Sequence, residues 1–253
     1  MKHPWRPLPD GLGHVRLEGL RPALRTDTGE FLRLHRVPDG GRLARRAYLR
    51  QVTDFARDRR GRIQAGLWPA GRRRVDVLDT DQLSRAIADQ LARLGADVRR
   101  SPRSAADATA DLVVAVAAHA PEPAVADRLA DLPSQGTAVL HGHADGGGFL
   151  VMPLATDRDA VTPDQVRRRR LAASPAADEL ACWLTQGPPV QPSGTVRALV
   201  TARVVEVVRT WASEAPQLDD LRRTLHVVHP DLHQTQHVVL GFDEPAPTTA
   251  PPR

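Results

Sequence analysis

The sequence has one cysteine, Cys182, and one lysine, Lys2. A lone cysteine excludes an intramolecular disulfide framework and any cysteine-cluster zinc site. No stretch approaches the ~18–20 apolar residues of a membrane-spanning helix. The N-terminus, Met1-Lys2-His3-Pro4-Trp5-Arg6-Pro7, lacks the apolar segment of a signal peptide. Both absences point to a cytoplasmic protein with no membrane partner. Aromatic residues are scarce as well, with four Phe, four Trp and one Tyr. That is a poor supply of stacking platforms for bases, and no finger or RNA-recognition signature is present.

What remains is ordinary globular material. Hydrophobic residues make up 41% of the 253 and charged residues 26%, which argues against a wholly disordered chain. The length suggests one or two domains, and a chain of this size buries roughly 70–75% of its unfolded surface. The net charge of +5 conceals a division. Residues 1–74 hold 18 Lys and Arg against 7 Asp and Glu, a net +11; residues 75–253 hold 17 against 23, a net −6. Such asymmetry points to an acidic partner for the basic part. With so few aromatics, an acidic peptide or protein ranks above nucleic acid.

The chain falls into three parts: a basic N-terminal segment (1–74), an α/β region (75–242) and a Pro/Thr-rich tail (243–253) expected to be disordered. Residues 1–13 are rich in Pro and Gly and read as an arm. Two short runs about the turn Thr26-Asp27-Thr28-Gly29 predict a hairpin. Leu43, Ala47, Leu49, Val52, Phe55 and Ala56 predict a helix over 42–57. Its arginines include Arg42, Arg45, Arg46 and Arg50, spaced by three and four so that several are helical neighbours.

From residue 75 the rhythm becomes strand, helix, strand. Val75-Asp76-Val77-Leu78-Asp79 reads as a strand, and Thr80-Asp81-Gln82-Leu83-Ser84 as a capping turn. A helix over 85–94 ends at Gly95, and Asp97-Val98-Arg99 is a second strand. The unbroken apolar run Leu112-Val113-Val114-Ala115-Val116 fits a parallel strand covered on both faces. A helix near 124–132 follows. A hairpin of 137–143 with 148–154 then turns at Asp145-Gly146-Gly147. Helices are expected over 164–171, 174–184 and 195–211, with a short turn at 218–221. A hairpin of 225–229 with 236–240 closes the region. No fixed-period repeat is visible.

This order of elements resembles the ThiF-like fold of ubiquitin-activating-type enzymes. Closest are the degenerate ThiF-like proteins of bacterial peptide natural-product pathways. The resemblance rests on the segments 75–95 and 111–116, the Gly-rich hairpin 141–153, the long helix 195–211 and the hairpin 225–240. It implies an α/β fold: a degenerate Rossmann-like ThiF-type domain preceded by a small basic α+β segment. It also implies partnership with a YcaO-type cyclodehydratase that makes azole or azoline rings. The N-terminal segment would be a clamp for the leader of a precursor peptide. In that role Arg33, Arg45, Arg46 and Arg50 would steer or pair acidic leader residues. A homodimer is left open.

The departures from the family pattern carry as much weight. An active member has a Gly-rich turn after the first strand, where backbone N–H groups approach nucleotide phosphates. Here the turn is Asp79-Thr80-Asp81-Gln82-Leu83, without glycine and with two carboxylates that would repel a phosphate. After the second strand Arg99-Arg100 stand where a ribose-binding acid is expected. Paired C-x-x-C zinc ligands are absent. The expectation is a catalytically degenerate, non-enzymatic partner with neither cofactor nor metal. Two alternatives stay open: an enzyme with a retained nucleotide pocket, and a basic nucleic-acid-binding module.

Other constellations are read as structural. Asp76, Asp79 and Asp81 could hold Mg²⁺, but a solvated capping turn explains them better. His226, His229, His233 and His237 read as surface residues rather than ligands. His141 and His143, two apart, could share a strand face and form a metal pair. Cys182 lies among Leu180, Ala181, Trp183 and Leu184 and reads as a buried small hydrophobe. Ser193 reads as a helix cap.

Overall fold

A computed structural model describes residues 5–8, 12–16, 18, 21–26, 29, 31–34, 41–78, 81–102, 109–118, 123–187 and 190–241. The chain divides into two compact units, Met1–Gly66 and Leu67–Arg253.

The first unit is a four-stranded antiparallel meander with one helix. Its strands are β1 (Trp5–Pro7), β2 (Gly13–Val15), β3 (Ala23–Arg25) and β4 (Phe31–Arg33), in spatial order β1-β2-β3-β4. The hairpin expected around Gly29 is β3–β4, where Gly29 has φ +88°, a backbone region that L side chains rarely adopt. The Pro-rich arm turns out to contribute β1. Pro7 is tolerated there because β1 is an edge strand, where one N–H is not needed for the ladder. Helix α1 (Arg42–Gly66) runs nine residues beyond the expected end at 57. Arginine, Gln and Ala are good helix formers, and the single Gly61 costs only about 1 kcal/mol.

The buried face of α1 is narrower than the apolar pattern suggested. Tyr48, Val52 and Ala56, spaced by four, pack with Leu12, Leu24 and Leu32. Leu43 and Phe55 are exposed, at 83% and 53%, and so is Ala47. A three-residue strand is too short to cover a wide helical stripe, so the flanking apolar residues stay outside.

The second unit is built on a seven-stranded sheet of order β11-β10-β9-β8-β7-β5-β6. Strands β5 (Arg74–Leu78), β6 (Asp97–Ser101), β7 (Leu112–Ala117) and β8 (Ala138–Asp145) are parallel neighbours. From β8 onward the sheet turns antiparallel through β9 (Gly148–Val151), β10 (Thr224–Val228) and β11 (Gln234–Val238). The β8–β9 turn is Gly146-Gly147, with Gly146 at φ +58°, as two-residue hairpin turns require. The connecting helices are α2 (Gln82–Arg93), α3 (Pro123–Asp131), α4 (Pro163–Ala173), α5 (Ala177–Gln186), α6 (Gly194–Ala212) and α7 (Leu218–Leu221).

Strand alternation sorts the core into layers. Val75, Val77, Leu112, Val114, Val116, Leu140, Phe149 and Val151 meet α2 and α6 on one face. Leu78, Val113 and Val139 meet α3 on the other. Farther along that face, Leu150 and Met152 pack with Val166 of α4. Every residue of β7 is buried, the result expected of a strand covered on both sides. The tail 243–253 lies outside the described residues. No helix among the described residues is long and apolar enough to cross a membrane.

Candidate functional site

Two regions bear on function, one in each unit. In the first unit, β4 is an edge strand of the sheet. Leu32 faces the core with α1. By alternation Phe31 and Arg33 project from the opposite face, and both are exposed. The register sets Arg25 against Phe31 and Ala23 against Arg33. That outer face therefore carries two arginines flanking an aromatic ring that is 59% exposed. Arg46 and Arg50 lie one turn apart on α1, and both are exposed. Arg45 belongs to the same helix, but its side chain lies outside the described residues. The structure thus brings Arg46 and Arg50 together and puts Arg33 on the far face of the sheet from α1. Among the described residues, Arg25, Arg33, Arg46 and Arg50 form no ion pair. Arg25 was missed from sequence because only the strand register pairs it with Phe31; the Gly29 turn was the signal that could have revealed it.

In the second unit, the direction in which successive parallel strands are added reverses at β5. Its neighbours β6 and β7 follow on opposite sides, so the crevice beyond the carboxyl ends of β5 and β7 is the place where such sheets hold ligands. Asp81 occupies it. Its Oδ1 accepts the Ser84 N–H at 2.9 Å, and the Asp81 N–H donates to Ser84 Oγ at 3.1 Å, a reciprocal cap on α2. Its Oδ2 accepts the Ala118 N–H at 2.8 Å, just past β7. A carboxylate of the chain itself thereby holds donors at a helix N-terminus, where an anion would otherwise bind. Asp79 and Thr80 lie outside the described residues. Asp81→Ala is expected to cost about 1–2 kcal/mol by loss of the cap, read as a lower urea midpoint. Asp81→Asn keeps an acceptor and should recover most of it; equal losses in both would show that the charge, not the cap, matters.

The remaining expectations sort cleanly. Asp76 is buried on β5, and its Oδ2 accepts from Arg99 Nη2 of β6 at 2.9 Å. It belongs to an ion pair, not to an Asp81 cluster, and among the described residues no group of three His, Cys, Asp or Glu could hold a metal. His141 and His143 do share a face of β8, the one opposite Leu140 and Gly142. His226 is not a surface residue: it is 5% exposed, and Arg203 Nη2 contacts its Nε2. Arginine only donates, so Nε2 is the acceptor and the ring proton sits on Nδ1. Burial, then the Arg203 charge, lowers its pKa to about 4. The expected surface character fails because β10 is an interior strand of the sheet. His229 and His233 stack at 5.6 Å, and Thr235 Oγ1 lies 3.1 Å from both His229 Nε2 and His237 Nε2. Cys182 is exposed, a correction to the buried reading; α5 turns its apolar residues only partly inward. Ser193 caps α6 as expected, its Oγ accepting the Val196 N–H at 3.2 Å.

No family model matches the sequence, and no curated protein does. Solved structures do match by shape. A chain of the E. coli microcin synthetase McbBCD complex aligns over 96% of this chain and 98% of its own, with 9% identity and a TM-score of 0.51. The heterocyclase TruD aligns over 94% of this chain and 40% of its own, with 11% identity and a TM-score of 0.51. The chain has their ThiF-like α/β fold. A heterocyclase in complex with substrate and cofactor also aligns, over 70% of this chain and 24% of its own, with 15% identity and a TM-score of 0.48. The chain therefore spans well under half of the two larger proteins.

Proposed function

We propose that this protein recognises a precursor peptide in the maturation of a ribosomally made natural product and presents it to a separate modifying enzyme, such as a YcaO-type cyclodehydratase. The observation that carries the reading is the edge strand β4, with its Phe31 and Arg33 and the neighbouring Arg25 of β3 exposed on the outer face of the sheet and no ion-pair partners for the arginines among the described residues. An extended leader adding beside β4 would gain main-chain hydrogen bonds, and its alternate side chains would fall on both faces. One row would meet Arg25, Phe31 and Arg33. The other would lie on the α1 side of the sheet, where Arg46 and Arg50 attract acidic residues. The shared fold with heterocyclase-pathway proteins supports the same reading. The Asp81 carboxylate at the crevice supports a scaffold without nucleotide chemistry, since a phosphate there would face a fixed negative charge.

Calorimetric titration of the full chain with the leader encoded beside its gene tests this. Binding is expected, and Arg25→Glu with Arg33→Glu should weaken it by about 10-fold, more at low salt. Absence of heat with the wild-type chain, or affinity unmoved by the reversals, would remove the proposal. A thermal shift with ATP is expected to be nil; a clear shift would favour the nucleotide-dependent enzyme instead.

A further inference from the structure

A cavity lies on the opposite layer of the sheet from α2 and α6. It is about 540 Å³, within the range of ligand pockets, and is bounded by β8, α3, α4 and α5. Ala126, Met152, Val166 and Leu184 give it an apolar wall. Its polar lining is the part that asks for a ligand. The His141 side chain is 6% exposed and borders the cavity, yet its ring has no hydrogen-bond partner among the described residues. Its ring nitrogens are not sealed inside the protein, so water or a ligand with matching groups in the cavity can satisfy them.

The charges narrow the ligand class. Arg167 donates to Asp164 at 3.1 Å, and Arg170 is paired with Asp145. Each cation that lines the cavity thus has a carboxylate partner, with Asp164 shared between Arg167 and Arg168. Asp127 adds a further carboxylate. An incoming anion would compete with these carboxylates for the same guanidinium groups. His141 adds no positive charge: burial, then the neighbouring His143, lowers its pKa to about 4, so the ring is neutral near pH 7. A neutral imidazole offers one donor and one acceptor, the complement of an amide.

We propose that this cavity binds an uncharged, amide-bearing peptide segment, seated with an apolar side chain against Met152, Val166 and Leu184 and hydrogen-bonded to His141. The inference deepens the peptide-partner reading and rests on it for the identity of the natural ligand. The leader would dock on residues 1–66, while a later stretch of the same precursor would use this cavity.

The test uses the full chain with ring-labelled histidine and three probes: N-acetyl-leucine N-methylamide, N-acetyl-leucine and inorganic phosphate. The His141 signal is assigned by its loss in His141→Gln. The capped amide should shift it saturably, with a dissociation constant on the order of 1 mM, as ligand efficiency allows for so small a probe. The two anions should bind at least about 10-fold more weakly. His141→Phe should weaken the capped amide by a similar factor, read from His143, while His141→Gln should retain it. No saturable shift in the wild-type chain at roughly ten times that concentration, or a stronger response to either anion, overturns the proposal. The leader titration reads the other unit, so either result can fail without the other.

Discussion

Lowering the pH from 7 to 4 is expected to remove several kcal/mol of stability from the unit Leu67–Arg253. Two buried histidines cause it. His141 on β8 and His226 on β10 both have pKa values lowered from 6.5 to about 4, in each case chiefly because burial penalises the charged ring. Between those values the unfolded chain binds protons that the folded chain refuses. Stability therefore is fully present above about 6.5, falls as the pH drops through the window and levels off below about 4, by about 3 kcal/mol for each ring as an upper bound. Protonating His226 would also remove the only acceptor it offers to Arg203. Urea midpoints followed by tryptophan fluorescence at pH 7, 5.5 and 4 would show the slope. His141→Gln and His226→Gln should each flatten part of it. A wild-type midpoint that stays level across the window would mean that both rings reach water without unfolding.

Asp111→Ala is the second large effect, about 3 kcal/mol. The Asp111 side chain is 6% exposed and ties the start of β5 to β7. Its Oδ2 accepts the Arg73 and Arg74 N–H groups, each at 2.9 Å. Its Oδ1 accepts Arg74 Nη2 at 2.7 Å and Nε at 3.2 Å. Removing the carboxylate strands two backbone donors at the head of the strand that begins the unit. The Arg74 side chain is 59% exposed and recovers water, so most of the loss comes from the backbone. Asp111→Asn, which keeps one accepting oxygen, should lose about half as much. If alanine and asparagine both cost under 1 kcal/mol by urea denaturation, water has replaced the carboxylate. Burial alone would raise this pKa, but the Arg74 and backbone bonds outweigh it and hold the group below its usual 3.8. Its contribution is present above that value and is lost as the pH falls through the lowered one, a window beneath that of the histidines.

Much of the second unit was legible from residue order. The apolar run Leu112–Ala117 could only be a strand covered on both faces, since six consecutive buried residues have no period to offer a solvent side. The polar segment 80–84 was legible as a cap, but α2 starts at Gln82, inside that segment, rather than at 85. The Gly146-Gly147 pair announced the β8–β9 turn. The first unit was harder. Its strands are three residues long, too short to show alternation, and the Pro-rich arm concealed β1. The exposed Leu43 and Phe55 blurred which stripe of α1 is buried.

The sequence by itself determined the local choices: where helices cap, where hairpins turn, which strand is wholly interior, and that the segment after β5 carries carboxylates in place of glycines. These depend on backbone sterics and short-range hydrogen bonds, which neighbouring residues decide among themselves. Only the tertiary structure decided which distant groups meet. It seated the Asp81 carboxylate on the Ala118 N–H, buried His226 by placing β10 inside the sheet, left the His141 ring facing a cavity and set Arg25 beside Phe31. Each of those outcomes follows from strand order and register across the sheets. Pairing sets neighbours as far apart in sequence as Val151 and His226 side by side, which no local pattern records.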